Sequence, residues 1–104
     1  MKHAVIGAIK VRPGARKEVL RSLLAHRERS LRDEPGTLGF EVLVPNDEAD
    51  TILLFELYTD RLAFEAHFFH GASILQVKSE VGHLIESLTG THCMLGSEVS
   101  ESAA

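Results

Sequence analysis

A single cysteine, Cys93, gives this chain no partner for an intramolecular disulfide. It also stands without the His and Cys company that a zinc site needs. A reduced, intracellular setting is the simple expectation, with the cytoplasm as the address. Positive charge is not in surplus either: 11 Lys and Arg face 15 Asp and Glu, for a formal charge of −4 and a pI near 5.8. Nucleic acid and anionic membrane both call for a basic surface, so neither is expected as a partner. Arg12, Arg16, Lys17, Arg21, Arg27, Arg29 and Arg32 gather in the first third, but Glu18, Glu28, Asp33 and Glu34 are interspersed. That is the pattern of a solvated helix face. No apolar run approaches membrane-spanning length, and no long apolar segment follows Lys2 as in a secretory leader. There is no glycine-rich phosphate loop, and Ser30, Ser73 and Ser79 lack a nucleophile-elbow context. Internal repeats and low-complexity linkers are absent.

What remains is an ordinary globular composition, 44% hydrophobic and 25% charged over 104 residues. That size predicts one domain, spanning residues 1–97, with a loose polar tail over 98–104. His3 to Val11 is rich in Val and Ile and reads as the first strand; Arg12-Pro13-Gly14 breaks it. A helix is expected from about Ala15 to Asp33, with Val19, Leu20, Leu23, Leu24 and Leu31 as its apolar stripe. Pro35-Gly36 stops it. Gly39 to Val44 is the second strand, with Phe40, Val42 and Val44 on one face. The polar stretch from Pro45 to Asp50 joins it to a third strand, Thr51 to Tyr58, as an antiparallel hairpin.

A short helix should follow Asp60 and end near His70-Gly71. Ile74, Val77, Val81, Leu84, Ile85 and Leu88 then continue at helical spacing, although Gly82 costs about 1 kcal/mol against Ala. Thr89-Gly90 reads as the break, and Thr91 to Ser97 as the last strand. The order is βαββαβ, an α+β ferredoxin-like plan with a four-stranded antiparallel sheet. Helices cover one sheet face. The other carries Leu53, Phe55 and Leu57, so a second copy packed sheet to sheet is expected.

The most informative stretch runs from Glu56 to His67. Strand alternation places Ile52, Leu54, Glu56 and Tyr58 on one side, so Glu56 is a carboxylate in an apolar row. Such a group is costly unless paired or hydrogen-bonded. Glu56 either pairs with Lys10 or Arg12, or holds an imidazole tautomer or a substrate hydroxyl. After Asp60, a predicted helix cap, Phe64, His67, Phe68 and Gly71 share one helical face. His67 is therefore either a buried structural histidine satisfied by backbone carbonyls or a titratable group in a pocket.

Two motifs carry a family resemblance. One is Glu34-Pro35-Gly36 followed by Phe40 and Val42. The other is Glu56, Tyr58, Asp60, Ala63, Phe64 and His67, spaced as Glu-x-aromatic-x-Asp/Ser, then small-bulky and His. Together with the element order, roughly from residue 3 to 97, these make the chain resemble the antibiotic biosynthesis monooxygenase family, which includes quinol monooxygenases. The position of Tyr58 is more often Trp in that family. The resemblance implies a homodimer whose two sheets form a dimeric α/β barrel, with a hydrophobic pocket between helices and sheet in each subunit. Enzymatic members oxidise phenols or quinols with molecular oxygen, without flavin, haem or metal. Haem-degrading relatives carry a ligand histidine in a later helix, and the run from Gly71 to Lys78 has none. Relatives acting on phosphorylated signalling molecules show a Thr-Pro-His-Tyr-like segment, from which Phe69-His70-Gly71-Ala72 departs.

Oxygenation without a cofactor needs a substrate that supplies the electrons once a base has removed a proton. A histidine titrating near neutrality suits that step. The resemblance implies His67 as base or orienting donor, with Glu56, Tyr58, Phe64, Phe68 and His70 around a small hydrophobic or aromatic substrate. His67 and His70 at i and i+3 invite a metal, but no third ligand stands nearby, so neither metal nor cofactor is expected. The alternatives are a non-oxidative isomerase or degradation enzyme for a small carbonyl metabolite, and a non-catalytic ligand-binding dimer.

Overall fold

The computed structural model describes residues 1–100. Four strands and three helices follow in the order β1 (His3–Val11), α1 (Arg16–Asp33), β2 (Thr37–Leu43), β3 (Thr51–Tyr58), α2 (Arg61–His70), α3 (Ala72–Val81) and β4 (Ile85–Cys93). The sheet runs β2-β3-β1-β4, with every neighbouring pair antiparallel. This is the ferredoxin-like α+β architecture expected from the chain.

Register decides what each strand offers the helices. Val5 lies opposite Glu56, Gly7 opposite Leu54 and Ile9 opposite Ile52, while Phe40 meets Glu56 from the other side. The residues on this face are buried, and the α1 and α3 side chains Val19, Leu23, Val77 and Val81 pack onto them. Each such aliphatic side chain contributes roughly 1.5–3 kcal/mol when fully buried. The opposite face is barer. Ile6 and Leu43 are 47% and 49% exposed, and Leu53, Phe55 and Leu57 are half-buried beside them.

Local chemistry accounts for the helix boundaries. Gly14 takes φ +82°, a left-handed turn that suits glycine, and its N–H donates to the Asp50 carboxylate. Asp60 caps α2 by accepting from the Ala63 N–H at 2.8 Å. Its helix leans on the turn before β2, where the Thr59 N–H donates to the Gly36 carbonyl.

Several expectations need correction. The apolar spacing from Ile74 to Leu88 does not make one helix. α3 stops at Val81, a 3-10 turn covers Gly82–Leu84, and Ile85 begins β4. Thr89-Gly90 is therefore the middle of the last strand rather than a break, with Gly90 opposite Gly7. The physical reason is the free edge of β1, whose backbone groups gain ladder partners along its length. That gain overrides a helical pattern already weakened by Gly82. On α1, Leu24 is 46% exposed, and Ser22, His26 and Ser30 take buried places on the stripe instead. β2 starts earlier than expected and ends at Leu43, leaving Val44 41% exposed. At the start of the expected tail, the Lys2 N–H donates to the Glu98 carboxylate at 2.9 Å. The rest of the expected tail, 101–104, lies outside the described residues.

Candidate active site

The site forms where α1, the turn into β2, β3 and α2 converge on one imidazole. His67 is 3% exposed. Its Nδ1 lies 2.6 Å from Glu34 Oε1. The Thr37 hydroxyl donates to that same carboxylate oxygen at 3.0 Å, and Glu34 keeps 23% of its side chain exposed. On the other edge, His67 Nε2 lies 3.3 Å from His26 Nε2 and 3.9 Å from Glu56 Oε1. Glu34, left out of the expected site, is thus the nearest partner of the histidine. Helix α1 supplies it from the Glu-Pro-Gly turn, and Gly36 lets α2 approach: a Cβ there would stand 2.5 Å from the Ala63 Cβ.

Glu56 is held differently from either expected pairing. It faces the helices, whereas Lys10 is exposed at the far end of β1, and the Tyr58 hydroxyl donates to its carboxylate. Burial pushes the Glu56 carboxyl above its ordinary value, while the Tyr58 hydrogen bond and nearby His67 pull it back. Burial also raises the Tyr58 phenol far above its usual value, reinforced by the charge of Glu56. Tyr58 is fully buried and serves Glu56 rather than lining a cavity.

Three hollows surround these residues. An apolar cavity of about 100 Å³ lies between α1, α3 and the sheet, with His67, His26, Glu56, Phe40 and Phe68 in its wall. A second, of about 250 Å³, lies under α2 and is walled by Phe64, Phe68, Phe69, Glu56 and His92. Gly7 and Gly90, paired across β1 and β4, floor it and leave room that side chains would fill. The two share Glu56, Phe68 and Leu88. On the far side of His67, an open cleft of about 440 Å³ is bounded by Arg29, Glu34, Gly36, Ser73 and Gln76. The His67 ring therefore stands between a wider cleft, bordered by Arg29, Glu34 and Gln76, and a small apolar cavity.

The fold brings together five of the six residues singled out from the sequence: His67, Glu56, Tyr58, Phe64 and Phe68. His70 is exposed at the end of α2 and borders none of these hollows. Sequence reasoning passed over His26, Glu34, Arg29 and Ser73. His26 had left a trace, three residues after Leu23 and seven after Val19, in the middle of the α1 apolar stripe. No group of three His, Cys, Asp or Glu side chains is arranged to hold a metal ion among the described residues. No helix among them is long and apolar enough to cross a membrane.

With this geometry in place, the comparisons are direct. The antibiotic biosynthesis monooxygenase model matches residues 3–72, and the chain belongs to that family. A candidate antibiotic biosynthesis monooxygenase from Nitrosomonas europaea superposes with a TM-score of 0.84 at 22% identity, covering 95% of this chain and 94% of that one. A protein of Mycobacterium tuberculosis aligns with a TM-score of 0.80 at 27% identity, over 96% of this chain and all (100%) of that one. A candidate of the same family from Caulobacter crescentus gives 0.80 at 18% identity, over 88% and 87%. No curated protein matches the chain.

Proposed function

We propose that this protein is a homodimeric monooxygenase that oxidises a small phenolic or quinol compound with molecular oxygen, using no cofactor. The observation that carries this reading is the placement of His67, bound through Nδ1 to a carboxylate and turned through Nε2 toward an apolar cavity. With Glu34 ionised, Nδ1 carries the hydrogen and Nε2 holds the lone pair, the arrangement of an oriented general base. Glu34 then offsets the positive charge that the ring gains when it takes a proton.

For a quinol, the balance closes within substrate and oxygen. His67 removes a phenolic proton, and the electron-rich anion reduces O2. One oxygen atom joins the ring as a hydroxyl on the resulting quinone, and the other leaves as water with the released protons. The substrate supplies all four electrons. Glu56 receives a substrate hydroxyl, and the apolar walls keep bulk water from the anion. Phe68 separates the two hollows beneath the helices. Turning it aside would join them into a pocket at the lower end of the roughly 300–1,000 Å³ typical of ligand sites.

The bare sheet face supports the dimer. Ile6, Leu43, Leu53, Phe55 and Leu57 form an apolar surface that a second copy would remove from water. Oxygen-electrode assays with a panel of hydroquinones test the activity. The expected result is oxygen uptake matched to quinone formation, lost in His67→Ala. Unchanged uptake in that variant overturns the role of His67, and product without oxygen uptake overturns the reaction class.

A further inference from the structure

Beyond His67 the hydrogen bonds continue. His26 Nδ1 lies 2.7 Å from the Ser73 Oγ, and Arg29 Nε donates to that same oxygen at 2.8 Å. Arg29 also reaches the Ser73 carbonyl through Nη2 at 3.4 Å. His26 itself is 1% exposed, with its ring edge-on to Phe40. None of these groups belongs to the motifs that mark the family resemblance.

Donor and acceptor counting gives the series a direction. Arg29 can only donate, so Ser73 Oγ accepts from it and keeps its own hydrogen free to turn to His26 Nδ1. A neutral His26 then carries its hydrogen on Nε2, pointing at His67 Nε2. That nitrogen can accept because the hydrogen of His67 sits on Nδ1, facing Glu34. Every group is satisfied in one sequence: Arg29 to Ser73, Ser73 to His26, His26 to His67, His67 to Glu34. The reverse tautomer of His67 would set two N–H groups against each other and leave Glu34 facing a lone pair.

We propose that His26 is a positioning residue, which with Ser73 and Arg29 fixes the tautomer of His67 so that Nε2 is the basic atom toward the cavity. The assignment rests on His67 being the base described above. At 3.3 Å the His26 contact is long for a hydrogen bond, so a phenolic O–H can displace it from the Nε2 lone pair. Burial also keeps His26 neutral: its pKa is lowered to about 3, first by desolvation, then by the neighbouring charges of His67 and Arg29. A second positive charge beside His67 is thereby avoided. The charged and titratable groups around the His67 ring are His26 and Glu34 from the α1 side and Glu56 and Tyr58 from β3.

The test is long-range ¹H–¹⁵N NMR of the full chain labelled at histidine, which reads the tautomer of each ring without any turnover. At pH 7, His67 is expected to show a protonated Nδ1 and bare Nε2, and His26 the opposite. In His26→Phe, the His67 Nε2 signal should move and its single tautomer should give way to a mixture. His26→Gln, which retains an N–H donor, should restore the pattern. Ser73→Ala removes the hydroxyl that orders His26 and should mix its tautomers in a folded protein, should His26→Phe fail to fold. A protonated Nε2 on His67, or ring signals unchanged in these variants, overturns the assignment. The expected tautomers without quinol oxidation would overturn the oxygenase reading and leave this one standing. Where quinol is oxidised, His26→Phe should lower kcat about tenfold and displace its pH profile, with a smaller change in KM.

Discussion

His67 Nδ1 and Glu34 Oε1 meet at 2.6 Å, joining the middle of α2 to the first residue beyond α1. The contact is both structural and electrostatic, because it pins two helices and sets the proton arrangement of the buried ring. Glu34→Gln keeps the shape and removes the charge. The Gln carbonyl still accepts from Nδ1, so turning a charge-assisted hydrogen bond into a neutral one predicts a stability drop of about 1 kcal/mol. Quinol turnover should fall by about tenfold to a hundredfold, since the protonated ring loses its counter-charge. Urea unfolding and oxygen uptake on the same variant check the two effects separately.

Buried titratable groups predict an asymmetric pH dependence of stability. His26 refuses in the folded state a proton that the unfolded chain binds below about 6.5. Stability should therefore fall as pH drops from 6.5 toward 3, by up to about 1.4 kcal/mol per pH unit. Glu56 works in the opposite sense, because its folded value is raised above 4.5. Its contribution is complete below that value and is lost as pH rises through the raised one. Urea midpoints across pH 4–8 should show both slopes. His26→Phe should flatten the acid side and Glu56→Gln the other.

The approach of α2 to the Glu-Pro-Gly turn leaves no space for a methyl group. A Cβ at position 36 would lie 2.5 Å from Ala63 Cβ and 3.3 Å from the Thr59 hydroxyl. Gly36→Ala should cost about 1–3 kcal/mol through overpacking. Ala63→Gly alone should cost about 1 kcal/mol of helix propensity. Combined with Gly36→Ala, it should relieve the clash, so the double variant should be less destabilised than the sum. Denaturation of all three variants reads the coupling, and strict additivity would refute the contact.

Phe55 sits in the apolar patch on the uncovered side of the sheet, beside Ile6 of the paired strand. Phe55→Asp would place a charge in the proposed dimer seam, where it has no partner. Sedimentation should show the native chain at twice the monomer mass and the variant shifted toward monomer. A native chain that remains monomeric at micromolar concentration would remove the dimer from the proposed function.

Much of the site can be read locally. Strand alternation alone places Glu56 and Tyr58 on the same side of β3, and helical spacing alone groups Phe64, His67 and Phe68. The Asp60 cap follows from residue type and position. The end of the second helical region cannot be read in this way, because Leu84, Ile85 and Leu88 fit a helix as well as a strand. The open edge of β1 favours the strand, and that edge exists only once the sheet has assembled.

The sequence by itself determined the element order, the two-faced sheet and the face of α2 that carries the histidine, because these depend on spacings of a few residues. Only the tertiary structure decided what that histidine touches. Glu34, His26 and Glu56 lie 33, 41 and 11 residues from it along the chain. A hydrogen bond over such a span is fixed by helix packing and sheet register, which act through the whole fold and leave no local pattern to read.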